Sequence, residues 1–228
     1  LRCVPQVHGA CRDSIRYAYD VVSREINAVT DNPLIFPDED DVISGGNFHG
    51  EPVGLAMDFI AIAIAELADI SERRTERLVN PQLSGLPAFL IEHGGVNSGL
   101  MITQYAAASM VSENKVLAHP ACVDSIPSSA NQEDHVSMGT TAARKALSIL
   151  DNSQKVLGIE LFAASQAMTF RDESKLGKAM AAVYQHIRKS VPAWEHDQIS
   201  YIEMNKFDKM VKSAELNDLV EQTIGKLN

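Results

Sequence analysis

The chain has 228 residues, a formal net charge of −10, 45% hydrophobic and 22% charged residues. This is a globular composition, long enough for one large core or two small ones. The acidic balance argues against broad binding to nucleic acid or an anionic membrane. The most apolar stretch, residues 57–67, is broken by Asp58 and Glu66 and cannot be read as a bilayer span.

The three cysteines, Cys3, Cys11 and Cys122, form no metal-ligand spacing and read as small buried residues in a reducing, cytoplasmic setting. The first residues do not read as a signal peptide, and none is expected. It starts Leu1-Arg2-Cys3, without Met, so we expect it to be part of a longer protein.

Pro5 introduces a predicted helix over residues 4–26, with Val7, Ala10, Cys11, Ser14, Ala18, Val21, Val22 and Ile26 on one face. Residues 27–41 read as irregular, with a turn at Thr30-Asp31-Asn32-Pro33 and an exposed acidic loop over 37–41. A very short strand is allowed at 42–44. Gly45-Gly46-Asn47-Phe48-His49-Gly50 then forms a glycine-rich loop before Pro52. No Lys-Ser/Thr pair follows it and no strong strand precedes it, which argues against a phosphate loop. Phe48 and His49 on so flexible a segment point instead to a ligand-facing tip.

Residues 53–77 read as a long helix, apolar almost all round between Leu55 and Ile70, hence buried in a bundle or at a subunit interface. Its charged end, Glu72 to Arg77, reads as a solvated face. Asn80-Pro81 stops it, a loop follows over 83–95, and Asn97 or Ser98 caps a helix running to Ala118.

Ser129 and Gln132 have capping-box spacing, which predicts a helix start with Glu133 and Asp134 in its first turn. Behind it Val136, Thr140, Ala143, Leu147, Leu150, Gln154, Leu157, Leu161, Ala164 and Met168 recur every three or four residues, the seam of a helix bundle. Ile149, Val156, Ile159 and Phe162 lie off that seam and call for a further neighbour. Weaker helices follow over 176–187, near 198–205 and over 206–224. The fold expected is all-α, a long antiparallel helix bundle with short irregular loops. Residues 1–170 form its central part and 171–228 its peripheral C-terminal helices, within the same domain.

For chemistry, a metal site is not expected: Glu133, Asp134 and His135 are consecutive and diverge around a helix. The Ser-Gly pairs lack the Gly-x-Ser-x-Gly elbow of serine hydrolases. What remains is a binding set of Arg2, Phe48 and Glu133. It suits a small zwitterion with a ring: the guanidinium for a carboxylate, the phenyl for the ring, the acid for a donor or cation.

The stretches Leu1 to Ala10, Asn27 to Leu34, Ser44 to Pro52, Leu83-Ser84-Gly85-Leu86-Pro87, Asn97-Ser98-Gly99, Ser112-Glu113-Asn114-Lys115 and Ser129 to Met138 resemble the aromatic amino acid ammonia-lyases, in order, and most closely their histidine branch. The resemblance implies elimination of ammonia from L-histidine to give trans-urocanate. It also implies a methylidene-imidazolone electrophile built from Ala-Ser-Gly, and a homotetramer with active sites shared between subunits.

By the same resemblance Arg2 holds the substrate carboxylate, Phe48 lies beside the ring, and Glu133 is the catalytic carboxylate near the imidazole. Asn131 and Gln132 flank it on the substrate side. Glu133 favours imidazole, because a phenyl ring would leave the acid unpaired, at a cost of roughly 1–3 kcal/mol. The phenylalanine-specific relatives carry an amide there, as the family pattern implies. No Ala-Ser-Gly occurs in these residues. The chain alone is therefore expected to be inactive, with the N-terminal half of the same enzyme as its partner. His119 and His135 are expected in structural roles, with the role of His49 open. The alternatives are a non-catalytic helical assembly module, or a lyase for phenylalanine or tyrosine.

Overall fold

The computed structural model describes residues 2–227. In chain order the elements are α1 (Val4–Glu25), β1 (Leu34–Phe36), β2 (Asp41–Ile43), α2 (Glu51–Val79), α3 (Pro81–Ser84), α4 (Met101–Leu117), α5 (Gly139–Met168), α6 (Lys178–Ser190), α7 (Ser200–Ser213) and α8 (Glu215–Ile224). The molecule is mostly helical, as expected. β1 and β2 pair antiparallel around the exposed acidic turn, with Leu34 opposite Ile43 and Phe36 opposite Asp41.

Two compact units divide the chain. The first takes residues up to Leu67 together with Asn114–Leu150; the second takes Ala68–Glu113 and the residues from Asp151 onward. In the first unit, Ala18 and Val21 of α1 pack with Ala56, Met57 and Ile60 of α2. Ala61 of α2 meets Ala146 and Ile149 of α5, with Leu117 and Ala118 alongside. Small side chains dominate these contacts and let the helices lie close. The second unit has the bulkier core. Phe162 stacks on Phe207 with ring centroids 5.3 Å apart and meets Trp194 edge-on at 5.2 Å. Leu90, Ile91, Leu100, Ile187 and Val191 close around them. Each such buried ring or aliphatic chain contributes roughly 1.5–3 kcal/mol. Gln166 is buried there with its amide fully used: it donates to Leu90 O and Trp194 O and accepts from Trp194 N–H.

Several expectations change. The long helix starts at Gly139 rather than at Ser129. Ser129, Ala130 and Asn131 have φ of 51°, 56° and 70°. An N-cap needs extended backbone, so the Ser129/Gln132 spacing makes no capping box. Along α5 the buried positions include Ala142, Ala146, Ile149, Ser153, Val156, Ile159, Phe162 and Ala163. The core face thus lies on the residues placed off the seam, whereas Leu147 and Leu150 are exposed.

The charged end of α2 is not simply a solvated face. Glu72 is only 2% exposed, and it accepts from Gln104 Nε2 at 2.6 Å and from the Arg73 guanidinium. Arg74 forms a two-pronged pair with Glu160, at 2.5 and 2.7 Å, and Ser71 Oγ donates to the same acid at 2.6 Å. The break expected near Asn205 falls at Ala214, in left-handed backbone, because Phe207 and Met210 carry the α7 core face on without interruption. Cys3 is exposed and Cys122 half-buried; only Cys11 is buried as expected. Burial raises the Cys11 and Cys122 thiols above the ordinary range, with Glu66 adding to the first and Asp58 to the second. Both therefore stay as thiols.

Two tests follow from the second unit. Gly99 has φ of 53°, and a Cβ there would meet Phe89 O at 2.6 Å. Gly99→Ala should destabilise the protein by about 1–3 kcal/mol, read from its denaturant midpoint. Asp151 is held below the ordinary carboxylate range by hydrogen bonds from Lys155 and then Lys212. Its folded value lies under its unfolded one, so the stabilisation is present above the unfolded value and fades as pH falls through the folded one. Solvent screens this half-exposed group, so the effect is small. The stability gap between wild type and Asp151→Asn should therefore be constant above about pH 5 and shrink as pH falls below about 4, through the folded value.

Candidate active site

The sequence-predicted site residues all belong to the first unit. Arg2 lies exposed in the turn before α1. Phe48 sits on the glycine-rich loop between β2 and α2, 51% exposed. Asn131, Gln132 and Glu133 are exposed on the segment leading to α5.

The glycine-rich loop is fastened from behind. Asn32 Oδ1 accepts from Ser44 Oγ at 3.1 Å and from Gly45 N–H at 3.0 Å. Asn47 Nδ2 donates to Val29 O at 2.8 Å. A glycine-rich sequence that would otherwise sample many conformations is thus confined by two asparagine side chains.

The segment carrying Glu133 is a tight loop. Ser128 and Glu133 pair through their backbones, N–H to O at 3.0 and 3.4 Å, and the three left-handed residues lie between them. Consecutive non-glycine residues with positive φ cost energy and persist only where surrounding contacts over-determine them. The Glu133 carboxylate receives one long hydrogen bond, from Ser128 Oγ at 3.4 Å. Downstream, Ser125 Oγ both accepts from Val136 N–H at 2.8 Å and donates to Val136 O at 3.0 Å. Glu133, Asp134 and His135 therefore sit on a loop, and their divergence around a helix does not apply. Among the described residues no group of three or more His, Cys, Asp or Glu is placed to hold a metal ion.

The structure joins these two segments directly. His49 Nε2 lies 2.9 Å from His135 O, the two imidazoles stack with centroids 5.3 Å apart, and Ser137 Oγ donates to His49 O at 2.6 Å. Phe48 is adjacent to His49, and Glu133 lies two residues before His135. Among the described residues, no hydrogen bond or ion pair ties Arg2 to either segment.

Sequence reasoning missed the supports. Asn32 looked like part of a turn signal, and Ser137 carried no signal at all. Asp58 did carry one, as a lone acid inside an apolar helical run. It is 2% exposed, and its Oδ2 accepts from the N–H groups of Ala121 and Cys122, both at 2.7 Å. Lys145 faces its other oxygen at 3.5 Å and also reaches His119 O. This carboxylate ties α2 and α5 to the chain that leads into the Glu133 loop.

A profile of the aromatic amino acid lyases matches residues 1–189. The chain belongs to the aromatic amino acid lyase family. It is 65% identical over 224 residues to histidine ammonia-lyase of Alkaliphilus metalliredigens, covering 98% of this chain and 44% of that protein. Among solved structures it resembles histidine ammonia-lyase from Trypanosoma cruzi, with a TM-score of 0.94 and 46% identity over 98% of this chain and 44% of that one. Tyrosine aminomutase from Streptomyces globisporus matches with the same TM-score of 0.94 at 35% identity, over 100% of this chain and 43% of that one. The chain thus spans less than half the length of the relatives it matches. The family uses a methylidene-imidazolone group. These residues contain no Ala-Ser-Gly from which it could form, so they do not fit as its source.

No helix among the described residues is long and apolar enough to cross a membrane. The support at Asp58 is testable. Asp58→Ala orphans two backbone N–H groups and takes the nearby carboxylate from Lys145, and should cost about 3 kcal/mol in chemical denaturation. Asp58→Asn keeps an acceptor and should recover part of it.

Proposed function

We propose that this chain is the substrate-holding part of a histidine ammonia-lyase. Such an enzyme removes ammonia from L-histidine without oxidation, giving trans-urocanate. The observation that carries the reading is the junction of the Phe48 loop with the Glu133 segment through His49, His135 and Ser137. The 65% identity to a histidine ammonia-lyase supports the choice of substrate.

On this reading Arg2 pairs with the substrate carboxylate and Phe48 lies against the imidazole. Glu133 accepts from an imidazole N–H, with Asn131 and Gln132 beside it on the substrate side. The reaction breaks the Cα–N bond and one Cβ–H bond and forms a Cα=Cβ double bond; the proton and the amine leave as ammonium. Electrons and atoms balance with no oxidant. The electrophile must come from chain outside these 228 residues, so the chain by itself is inactive. We place the assembled protein in the cytoplasm as a homotetramer, with the N-terminal half of the same enzyme completing each site.

A second reading, a phenylalanine or tyrosine lyase, draws support from the equal structural likeness to a tyrosine aminomutase. Glu133 argues against it, since a phenyl ring offers its carboxylate no hydrogen-bond donor. The test uses the full-length protein containing this chain, incubated with each amino acid while urocanate absorbance is followed. Histidine should be the substrate turned over. Glu133→Gln should lower kcat/KM for it by roughly tenfold to a hundredfold. An unchanged rate in that variant would remove Glu133 from the mechanism.

A further inference from the structure

We propose that His49 is a positioning residue, whose ring latches the Phe48 loop onto the segment that carries Glu133. The proposal rests on the functional reading above for what the latch positions, but not for the latch itself. Four contacts converge on this place. His49 Nε2 reaches His135 O at 2.9 Å. The two rings stack with their planes 20° apart, and His135 Nδ1 lies 3.2 Å from His49 Nε2. Ser137 Oγ donates to the His49 carbonyl at 2.6 Å. One residue on, a Cβ at Gly50 would lie 3.3 Å from that same Ser137 Oγ.

The chemistry follows from the atoms. A carbonyl only accepts, so His49 carries a hydrogen on Nε2 and donates it to His135 O. The facing His135 Nδ1 is then left bare, since a second hydrogen would set two donors against each other. The His135 ring adds a stacked face, whereas its backbone carbonyl does the hydrogen bonding. Asn32 and Asn47 fasten the loop from the other side but touch only residues that precede Phe48 or lie outside the loop. His49 alone among the loop's side chains reaches the Glu133 segment through a hydrogen bond among the described residues. Without it the loop keeps its rear attachment and the Ser137 hydrogen bond to its backbone, and loses the side-chain bond that sets Phe48 relative to the acid.

This makes an ordering that a general structural role would not produce. His49→Leu removes the donor and the stack. His49→Gln places an amide N–H near the former Nε2 and keeps the hydrogen bond. His135→Ala removes only the stacked ring, because the accepting carbonyl belongs to the backbone. The experiment takes these variants of the full-length protein and measures amide hydrogen exchange over residues 44–50 and 128–137, then kcat and KM for L-histidine.

His49→Leu should speed exchange in both segments by about tenfold. It should also raise KM more than it lowers kcat, with His49→Gln close to wild type and His135→Ala in between. Exchange in His49→Leu as slow as in wild type overturns the latch. Faster exchange with unchanged kcat and KM overturns its positioning role. Should His49→Leu fail to fold, His49→Phe carries the test, because it keeps a stacked ring and loses the donor: exchange there as slow as in His49→Gln overturns the latch. A wild-type protein that leaves histidine intact, with the exchange ordering as expected, overturns the proposed substrate and keeps the latch.

Discussion

The first turns of α2 and α5 approach each other backbone to backbone, and the candidate site depends on that approach. A Cβ at Gly54 would sit 3.3 Å from Gly139 Cα, and one at Gly139 would sit 3.3 Å from Gly50 O. Any side chain at either position would push the two helix starts apart by a few tenths of an ångström or more. The glycine-rich loop ends where α2 begins, and the Glu133 segment ends where α5 begins. Bringing the two helix starts together therefore brings together the ends of both functional loops, and His49, His135 and Ser137 only finish what the helices have begun. Asp58 secures the same neighbourhood from one turn further along α2, because its oxygens satisfy the chain that enters the Glu133 segment. A buried carboxylate is costly, and it is tolerated here by two backbone donors and a lysine.

The sequence made some of this legible and hid the rest for physical reasons. The helices α1 and α2 carry long apolar periodicities with proline at the start, and such signals survive tertiary context. The residues Arg2, Phe48 and Glu133 stood out because a charged or aromatic group on a loop does little for packing. The register of α5 was harder to read. Leucines 147 and 150 draw attention to one face, yet the buried face is built from Ala142, Ala146 and Ile149. Alanine looks neutral in a hydrophobicity pattern, though it marks where helices come closest. The Ser129 start failed for a different reason. A Ser-x-x-Gln spacing is compatible with a capping box, but whether the backbone is extended or left-handed at the serine is settled by contacts elsewhere. Here the Ser128–Glu133 backbone pairing closes a loop in which Ser129, Ala130 and Asn131 are left-handed. The acidic residues at the end of α2 misled in the same way: Glu72 is buried because Gln104, far along the chain, supplies a partner.

The strained loop and the weakly held acid belong to one arrangement. Glu133 is fixed through its main chain, by the two backbone bonds to Ser128, whereas its side chain receives only a hydroxyl at 3.4 Å. Most acids in this chain that matter to packing are treated in the opposite way. Glu72 and Glu160 have their oxygens occupied by guanidinium, amide or hydroxyl donors at 2.5–2.7 Å, and one Asp58 oxygen takes two backbone donors at 2.7 Å. A carboxylate already saturated with strong donors has little to offer an incoming ligand, because binding would exchange one hydrogen bond for another. A carboxylate held by its backbone and nearly bare at its oxygens gains a full partner when a donor arrives, and its position costs nothing further to fix. The energy that keeps three residues in left-handed backbone is in that sense spent on placement. It holds the acid in place without tying up its oxygens.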